Sequence, residues 1–443
     1  MSLSRCPVTT LASGWRHGYG GPLCPCHVLS PHCLRYRKPF GFLARCEPLN
    51  LTVLSLGSRA RLLVGGTELM AGERSIALDG LRGTAALTVL FYHAILYQNA
   101  SAVAALDPPV QGAFSTRDAI TKIALTVANG QSAVLLFFVL SGFVLNNALR
   151  SIDGSALAIC YKFTMRRLFR IYPGLLFCMA FCYFLAWPLV RSPWFADSPD
   201  LQAAANINLV LQNALLSKIT MQGATWTLQS ELLAVPFLLG AFFLGRRLGA
   251  LAVVLCLAAS VMAVEAAFLT FNLPTMSGVL FAFMGGAVLA DTRETQHNEV
   301  GAWLAVVFFL LARLFVPLHS TTAMIAQVIA ACCLVYAAFN ARSGPFYDAL
   351  SSRPLRFLGR ISFSLYLINV PVMWVVGSVV KRAGFNESNP LEAGIVVGIL
   401  VTLITLPIAS FSEKWVEQGG IRLGRMLTTS RHLPVQPIVA PAE

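Results

Sequence analysis

The chain has 443 residues, of which 56% are hydrophobic and 12% charged, and its formal net charge is +13. Ordinary soluble domains carry about 25% charged residues, so this composition excludes a water-soluble globular enzyme and favours a membrane protein. The Lys and Arg residues stand in short clusters between apolar segments rather than along one face, which argues against nucleic acid as a partner.

The first 69 residues differ from the rest of the chain, being rich in Pro, Gly, Cys, Arg and His without sustained periodicity. Residues 24–33 hold cysteine and histidine at a spacing unlike that of structural zinc sites, so we expect no metal. The segment is either a disordered extension or a stretch upstream of a natural start at Met70, and we prefer the second interpretation. The sequence thus predicts a membrane domain over 70–417 and a cytoplasmic tail over 418–443.

Apolar segments near the length needed to cross a bilayer, about 20 residues, recur through the membrane domain. They lie at about 83–99, 129–149, 171–190, 226–244, 248–270, 274–290, 301–317, 322–340, 361–380 and 391–412. The sequence therefore predicts an all-α, polytopic integral membrane protein with about ten transmembrane helices. Residues 206–217 are too polar for a span, and we expect a re-entrant or interfacial piece there.

A basic cluster at 162–170 lies between the second and third segments. Clusters of Lys and Arg mark cytoplasmic loops, so this one predicts that both termini are cytoplasmic. The Lys381–Arg382 pair is then left on the outer side.

Arg82 lies at the start of the first segment and His93 inside it, where a charged side chain costs at least about 2.5 kcal/mol. Their separation of eleven residues returns to within about 20° of the same helix face and spans roughly 16 Å. Imidazole takes and returns a proton near neutral pH, so His93 is predicted to be a general base acting on a sugar hydroxyl. The alternatives are a snorkelling anchor for Arg82 and a core histidine held by a neighbouring helix for His93.

Three further side chains join these candidates. Glu231 is expected near the level of His93, where its carboxylate would orient the imidazole ring. Arg167 and Arg170 are neighbours on a helix, and we predict that their guanidinium groups hold the phosphates of coenzyme A. The alternatives are a helix N-terminal Glu favoured by the macrodipole and a purely topological basic cluster.

Five motifs occur in order along the chain. They are residues 78–86 followed by His93, residues 137–143, the pair Arg167-x-x-Arg170, residues 226–228 with Glu231, and residues 358–367. Small residues in 137–143 are expected to allow close helix packing rather than to supply a nucleophile. Together the motifs make residues 76–417 resemble acyltransferase family 3, the membrane enzymes that O-acetylate surface polysaccharides, O-antigens and nodulation factors.

The resemblance implies a bacterial inner-membrane O-acyltransferase. It would move an acyl group, expected to be acetyl, from cytoplasmic acyl-CoA to a hydroxyl of a carbohydrate or lipid-linked glycan. The donor phosphates would lie near Arg167 and Arg170, Arg82 would stand at the donor side, and the thioester would reach His93. Asn369 stands where the family often has histidine, so a catalytic role there is not expected.

A transporter or flippase of a glycan intermediate is the alternative, since buried polar residues in many helices also describe such proteins. Transporters often contain paired half-repeats. The later half of the chain holds no second copy of residues 79–93, which favours the enzyme.

Overall fold

A computed structural model of the chain describes residues 76–98, 116–273, 275–292, 295–311, 320–385 and 389–429. Within them it has helices and no strand, which confirms the predicted all-α fold. The helices are α1 Ile76–Gln98, α2 Thr116–Val127, α3 Gly130–Arg150, α4 Ala156–Leu189, α5 Pro199–Ala205, α6 Ile207–Ala214, α7 Trp226–Leu248, α8 Ala250–Met262, α9 Leu280–Leu289, α10 Glu299–Leu311, α11 Thr321–Asn340, α12 Pro345–Leu350, α13 Arg353–Arg382, α14 Pro390–Phe411 and α15 Gln418–Thr428. The predictions about residues 1–69, including the start at Met70 and the absence of a zinc site, lie outside the described residues.

Each of the ten predicted apolar segments coincides with a helix, but their number as membrane crossings is not confirmed. Among the described residues, six helical stretches are long and apolar enough to cross a bilayer: Ala119–Arg150, Ala156–Leu189, Gly223–Leu248, Thr321–Asn340, Arg353–Arg382 and Pro390–Thr428. Helices α8, α9 and α10 are apolar but shorter, with 13, 10 and 13 residues. Helix α6, in the segment predicted not to span, has only eight residues.

Helices α1 and α13 run parallel and pack backbone to backbone. A Cβ atom on Gly359 would lie 1.8 Å from the carbonyl oxygen of Asp79, so only glycine permits this approach. Nineteen residues further along α1, the side-chain amide of Gln98 donates to the carbonyl oxygen of Gly377, at 3.1 Å. Two contacts in matching order fix both the direction and the register of the pair.

Helix α3 runs antiparallel to α1. Gly130, at its start, sits against the ring of Tyr92 near the end of α1. Seven residues later the ring of Phe137 meets that of Tyr366 on α13, with centroids 6.2 Å apart. The bundle therefore has two ends, which we name the Arg82 end and the Gln98 end after the residues of α1 that lie there.

The C-terminal helix continues past the predicted domain boundary. Helix α14 passes through a π-helical turn, Ser412–Glu417, directly into α15. Gly420 and Gly424 of α15 pack closely on Phe169 of α4. The boundary predicted at residue 417 therefore falls inside a continuous helix, because an amphipathic segment resembles a polar tail in sequence but buries its small residues against α4.

Candidate functional site

Helix α1 carries two of the predicted site residues. The Nη1 atom of Arg82 lies 3.3 Å from the Oδ1 atom of Asp79, one turn earlier on the same helix. Because α1 is held against α13 at Gly359, this ion pair has a fixed position in the bundle. Part of the positive charge predicted for the donor side is thus compensated within the helix itself.

His93 lies eleven residues further along α1, towards the Gln98 end. Its ring is partly exposed and meets Tyr92 edge-on, with centroids 5.5 Å apart. Among the described residues no side chain or backbone group forms a hydrogen bond with the imidazole. A histidine ring with both nitrogen atoms unengaged is free to exchange a proton with a substrate.

Glu231 of α7 joins three helices near the Arg82 end. Its Oε2 atom lies 2.5 Å from Nη2 of Arg167 on α4, and its Oε1 atom accepts a hydrogen bond from the hydroxyl of Ser141 on α3, at 2.8 Å. Nη2 of Arg167 is thus paired with this carboxylate, whereas Nε donates to no acceptor among the described residues. The cluster therefore keeps cationic donors inside the bundle, with 13% of the Arg167 side chain exposed.

The position of Glu231 corrects one prediction. Ser141 follows Gly130 by eleven residues on α3, which is roughly 16 Å along the helix, and Gly130 lies at the level of Tyr92. Glu231, bonded to Ser141, therefore lies at the level of Arg82 rather than of His93. The expected contact that would orient the His93 ring is not formed, because both carboxylate oxygens engage Arg167 and Ser141. A catalytic role for Glu231 stays a prediction.

Arg170, the other member of the arginine pair, faces the C-terminal helix. Its Nη1 atom lies 3.6 Å from Oε2 of Glu417, and its guanidinium carbon lies 5.8 Å from the ring centroid of Phe363. Glu417 is fully buried in the π-helical turn and accepts a hydrogen bond from Ser364 at Oε1. Turns of the π-helical type recur at functional sites. This one places the carboxylate of Glu417 opposite Arg170, which is predicted to bind phosphate. The sequence did not single out Glu417.

A proline in α13 fixes the segment that leads into α7. Pro371 has no N–H to donate to the carbonyl oxygen of Leu367. That oxygen instead accepts hydrogen bonds from the side-chain amide of Gln222, at 2.6 Å, and from the thiol of Cys178, at 3.4 Å. Gln222 lies nine residues before Glu231, so the proline helps to set where α7 begins.

Asn369 is fully buried, and its side-chain Nδ2 donates to the carbonyl oxygens of Leu365 and Tyr366, at 2.8 Å each. The amide therefore serves the backbone of its own helix. Asn369 stands where the family often has histidine, and the expectation that it has no catalytic role stays a prediction.

A polar cluster at the Gln98 end was not predicted. The hydroxyl of Tyr97, one turn beyond His93, donates to Oδ2 of Asp200 on α5 at 3.4 Å. The Nζ atom of Lys381 lies 4.0 Å from the Tyr97 ring centroid. Burial raises the pKa of the Asp200 carboxyl, and the hydrogen bond from Tyr97 and the charge of Lys381 oppose that rise. The only signal in the sequence was the Lys381–Arg382 cluster, which was interpreted as topological.

Comparison with known proteins shows which family the chain is similar to. The model of the acyltransferase 3 family, described as an acyltransferase domain, matches residues 75–410. The match includes Arg82, His93, Arg167, Arg170 and Glu231 and ends before the π-helical turn. No curated protein and no solved structure matches the chain.

Proposed function

The chain belongs to the acyltransferase 3 family, and we propose that it moves an acetyl group from acetyl-CoA to a hydroxyl of a carbohydrate or lipid-linked glycan. The donor binds from the Arg82 end, which we place at the cytoplasmic face of a bacterial inner membrane. The acceptor approaches from the Gln98 end. Both termini are cytoplasmic in this arrangement, as the basic clusters predict.

His93 is the residue on which acyl transfer depends in this mechanism. Its ring is partly exposed, bonded to none of the described residues, and set on one helix face with Arg82 at roughly 16 Å. That distance suits an extended pantetheine arm whose phosphates remain at the arginine end. The thioester would then lie beside an imidazole that is free to act.

The arginine pair supports an anionic donor. Nε of Arg167 donates to none of the described residues, and Arg170 is the more open of the two, with 33% of its side chain exposed. Guanidinium groups bind phosphate bidentately. Glu231 would hold the guanidinium group of Arg167 in place, and Glu417 would compensate the charge of Arg170 while the donor is absent.

The chemistry at His93 is a single proton relay. One ring nitrogen takes the proton of the acceptor hydroxyl as its oxygen attacks the thioester carbonyl carbon. The tetrahedral intermediate collapses by breaking the carbon–sulfur bond, and the departing thiolate of coenzyme A takes the proton from the imidazolium. The imidazole is regenerated, and an ester and free coenzyme A are formed.

The Gln98 end supports a polyhydroxylated acceptor. Tyr97 presents an aromatic ring and a hydroxyl, and Asp200 presents a carboxylate, one helical turn beyond His93. Such groups bind sugar hydroxyls through hydrogen bonds. They lie on the side from which the acceptor must reach the imidazole.

Donor binding is tested with the full-length protein purified in detergent. Saturating acetyl-CoA is expected to raise the Tm, since a ligand at a hundred times its Kd stabilises the folded state by about 2.7 kcal/mol. Arg170→Gln should reduce the shift, whereas Arg422→Gln, on exposed α15, should not. No shift at saturating acetyl-CoA in the folded wild-type protein would overturn the proposed donor.

A further inference from the structure

Two cavities flank the end of α7 at the Arg82 end. The first, of about 510 Å³, lies between α3, α7, α8 and α9, and its walls include Leu238, Val253 and Met284. The second, of about 620 Å³, lies between α4 and α7. Arg246 lines both cavities, so one cation is shared between them.

The surface around this feature is suited to lipid. Four large side chains at the end of α7 and along α8 are more than half exposed: Leu248 57%, Leu251 63%, Val254 60% and Leu255 54%. In a chain that spans a membrane these residues face acyl chains rather than water. The first cavity lies beside these side chains, because Gly249, Ala250 and Val253 of the same segment line it.

Arg150, Arg246, Asp153 and Asp291 line the 510 Å³ cavity, whereas Arg246 and Arg247 line the 620 Å³ cavity, which no carboxylate of the described residues lines. Arg150 pairs with Asp291, and Lys162 donates to the carbonyl oxygen of Asp153 at 3.3 Å. Neither Arg246 nor its neighbour Arg247 pairs with a carboxylate of the described residues. Arg246 lies over the ring of Phe242 at 5.7 Å, which holds its guanidinium beside the cavity.

We propose that an anionic phospholipid binds at this place, with its phosphate on Arg246 and Arg247 and one acyl chain in the 510 Å³ cavity. Basic pockets between membrane helices on the cytoplasmic side select anionic headgroups, and their apolar walls receive the chain. This site lies on α7 and α8, apart from Arg167, Arg170 and His93. Its occupant is a structural lipid and takes no part in acyl transfer.

The test measures lipid binding rather than activity, so its result is independent of the proposed function. Dioleoyl phosphatidylglycerol and dioleoyl phosphatidylcholine are titrated into the detergent-purified full-length chain, and bound lipid is counted by native mass spectrometry. The wild-type protein is expected to bind phosphatidylglycerol in preference. Each arginine near an anionic headgroup contributes about fivefold, so Arg246→Gln with Arg247→Gln should weaken binding about 25-fold.

Two matched variants separate the site from general surface charge. Arg422→Gln with Arg425→Gln removes the same charge from exposed α15 and should leave binding unchanged. Gly245→Leu fills the 510 Å³ cavity, since a Cβ there meets only Val253 at 3.5 Å, and should abolish retention of the lipid with every arginine in place. Equal binding of the two lipids, equal loss in the α15 variant, full retention by Gly245→Leu, or displacement of phosphatidylglycerol by coenzyme A would each overturn the proposal.

Discussion

The Nη2 atom of Arg167 and the Oε2 atom of Glu231 lie 2.5 Å apart and join α4 to α7 within the bundle. The site has two levels along the bundle, and this ion pair lies at the first of them. The arginines and carboxylates of the site lie at the level of Arg82, and His93 lies roughly 16 Å further along α1. Glu231 is therefore placed to position a guanidinium group rather than an imidazole.

Glu231→Gln should lower the free energy of unfolding by about 3 kcal/mol, because it leaves the charge of Arg167 largely buried and uncompensated. Arg167→Gln should cost a similar amount, and the double variant should recover part of the loss. Chemical unfolding of the four proteins in detergent gives the coupling, expected to be about 1–3 kcal/mol. Effects that simply add would mean that the two side chains do not interact.

Neighbouring substitutions on α3 should differ in severity. Ser141→Ala removes the hydrogen bond to Glu231 and should cost about 1 kcal/mol. Gly142→Ala places a Cβ atom 2.0 Å from the carbonyl oxygen of Phe283, so it should cost about 3 kcal/mol or more through helix displacement. Membrane abundance and Tm compare the two variants, and a Ser141→Ala variant less stable than Gly142→Ala would contradict the packing described.

Asp200 should make stability depend on pH. Burial raises its pKa above the ordinary 3.8, so the folded chain binds this proton more tightly than the unfolded chain. The free energy of unfolding therefore falls as the pH rises from 3.8 through the raised value. Asp200→Asn keeps an oxygen for Tyr97 and should remove that fall, as measured by Tm against pH; parallel profiles for the two proteins would contradict the shift.

Much of this arrangement was predictable from sequence, for physical reasons. Apolar runs of bilayer length form helices whichever other helices they pack against. A polar residue inside such a run costs free energy and is therefore conspicuous in the sequence. This is how Arg82 and His93 were found. Their separation on one helix required only the helical rise.

Contacts between helices were less accessible. The level of Glu231 depends on the direction and register of α3 and α7, which glycines such as Gly142 set through close approach. Glu231 was expected near His93 because the start of α7 was assumed to lie at the same depth as the end of α1. Glu417 was not predicted as a site residue, because the sequence around it resembles a polar tail. Its burial depends on the packing of this segment on α4.

Glu417→Gln should strengthen the binding of coenzyme A. The carboxylate compensates Arg170 at 3.6 Å, and removing its charge removes a competitor of phosphate for this guanidinium. Isothermal titration should show a Kd lower by about fivefold, or roughly 1 kcal/mol. Glu413→Gln, which faces Arg360 at 4.0 Å, is the matched control and should leave the Kd unchanged; weaker binding in Glu417→Gln would show that the carboxylate holds Arg170 in its binding position.

We propose that His93 is the general base of acyl transfer, and replacing it tests that role. Cells lacking the gene receive the wild-type chain, His93→Ala, or Thr88→Ala, whose hydroxyl donates to the backbone of the same helix at Thr84. Ester-linked acetyl groups on the surface glycans are measured by mass spectrometry at matched membrane abundance. Loss of a general base should lower the rate about 10²–10⁴-fold, so acetylation should vanish in His93→Ala and persist in Thr88→Ala. Acetylation at the wild-type level in His93→Ala would contradict the account.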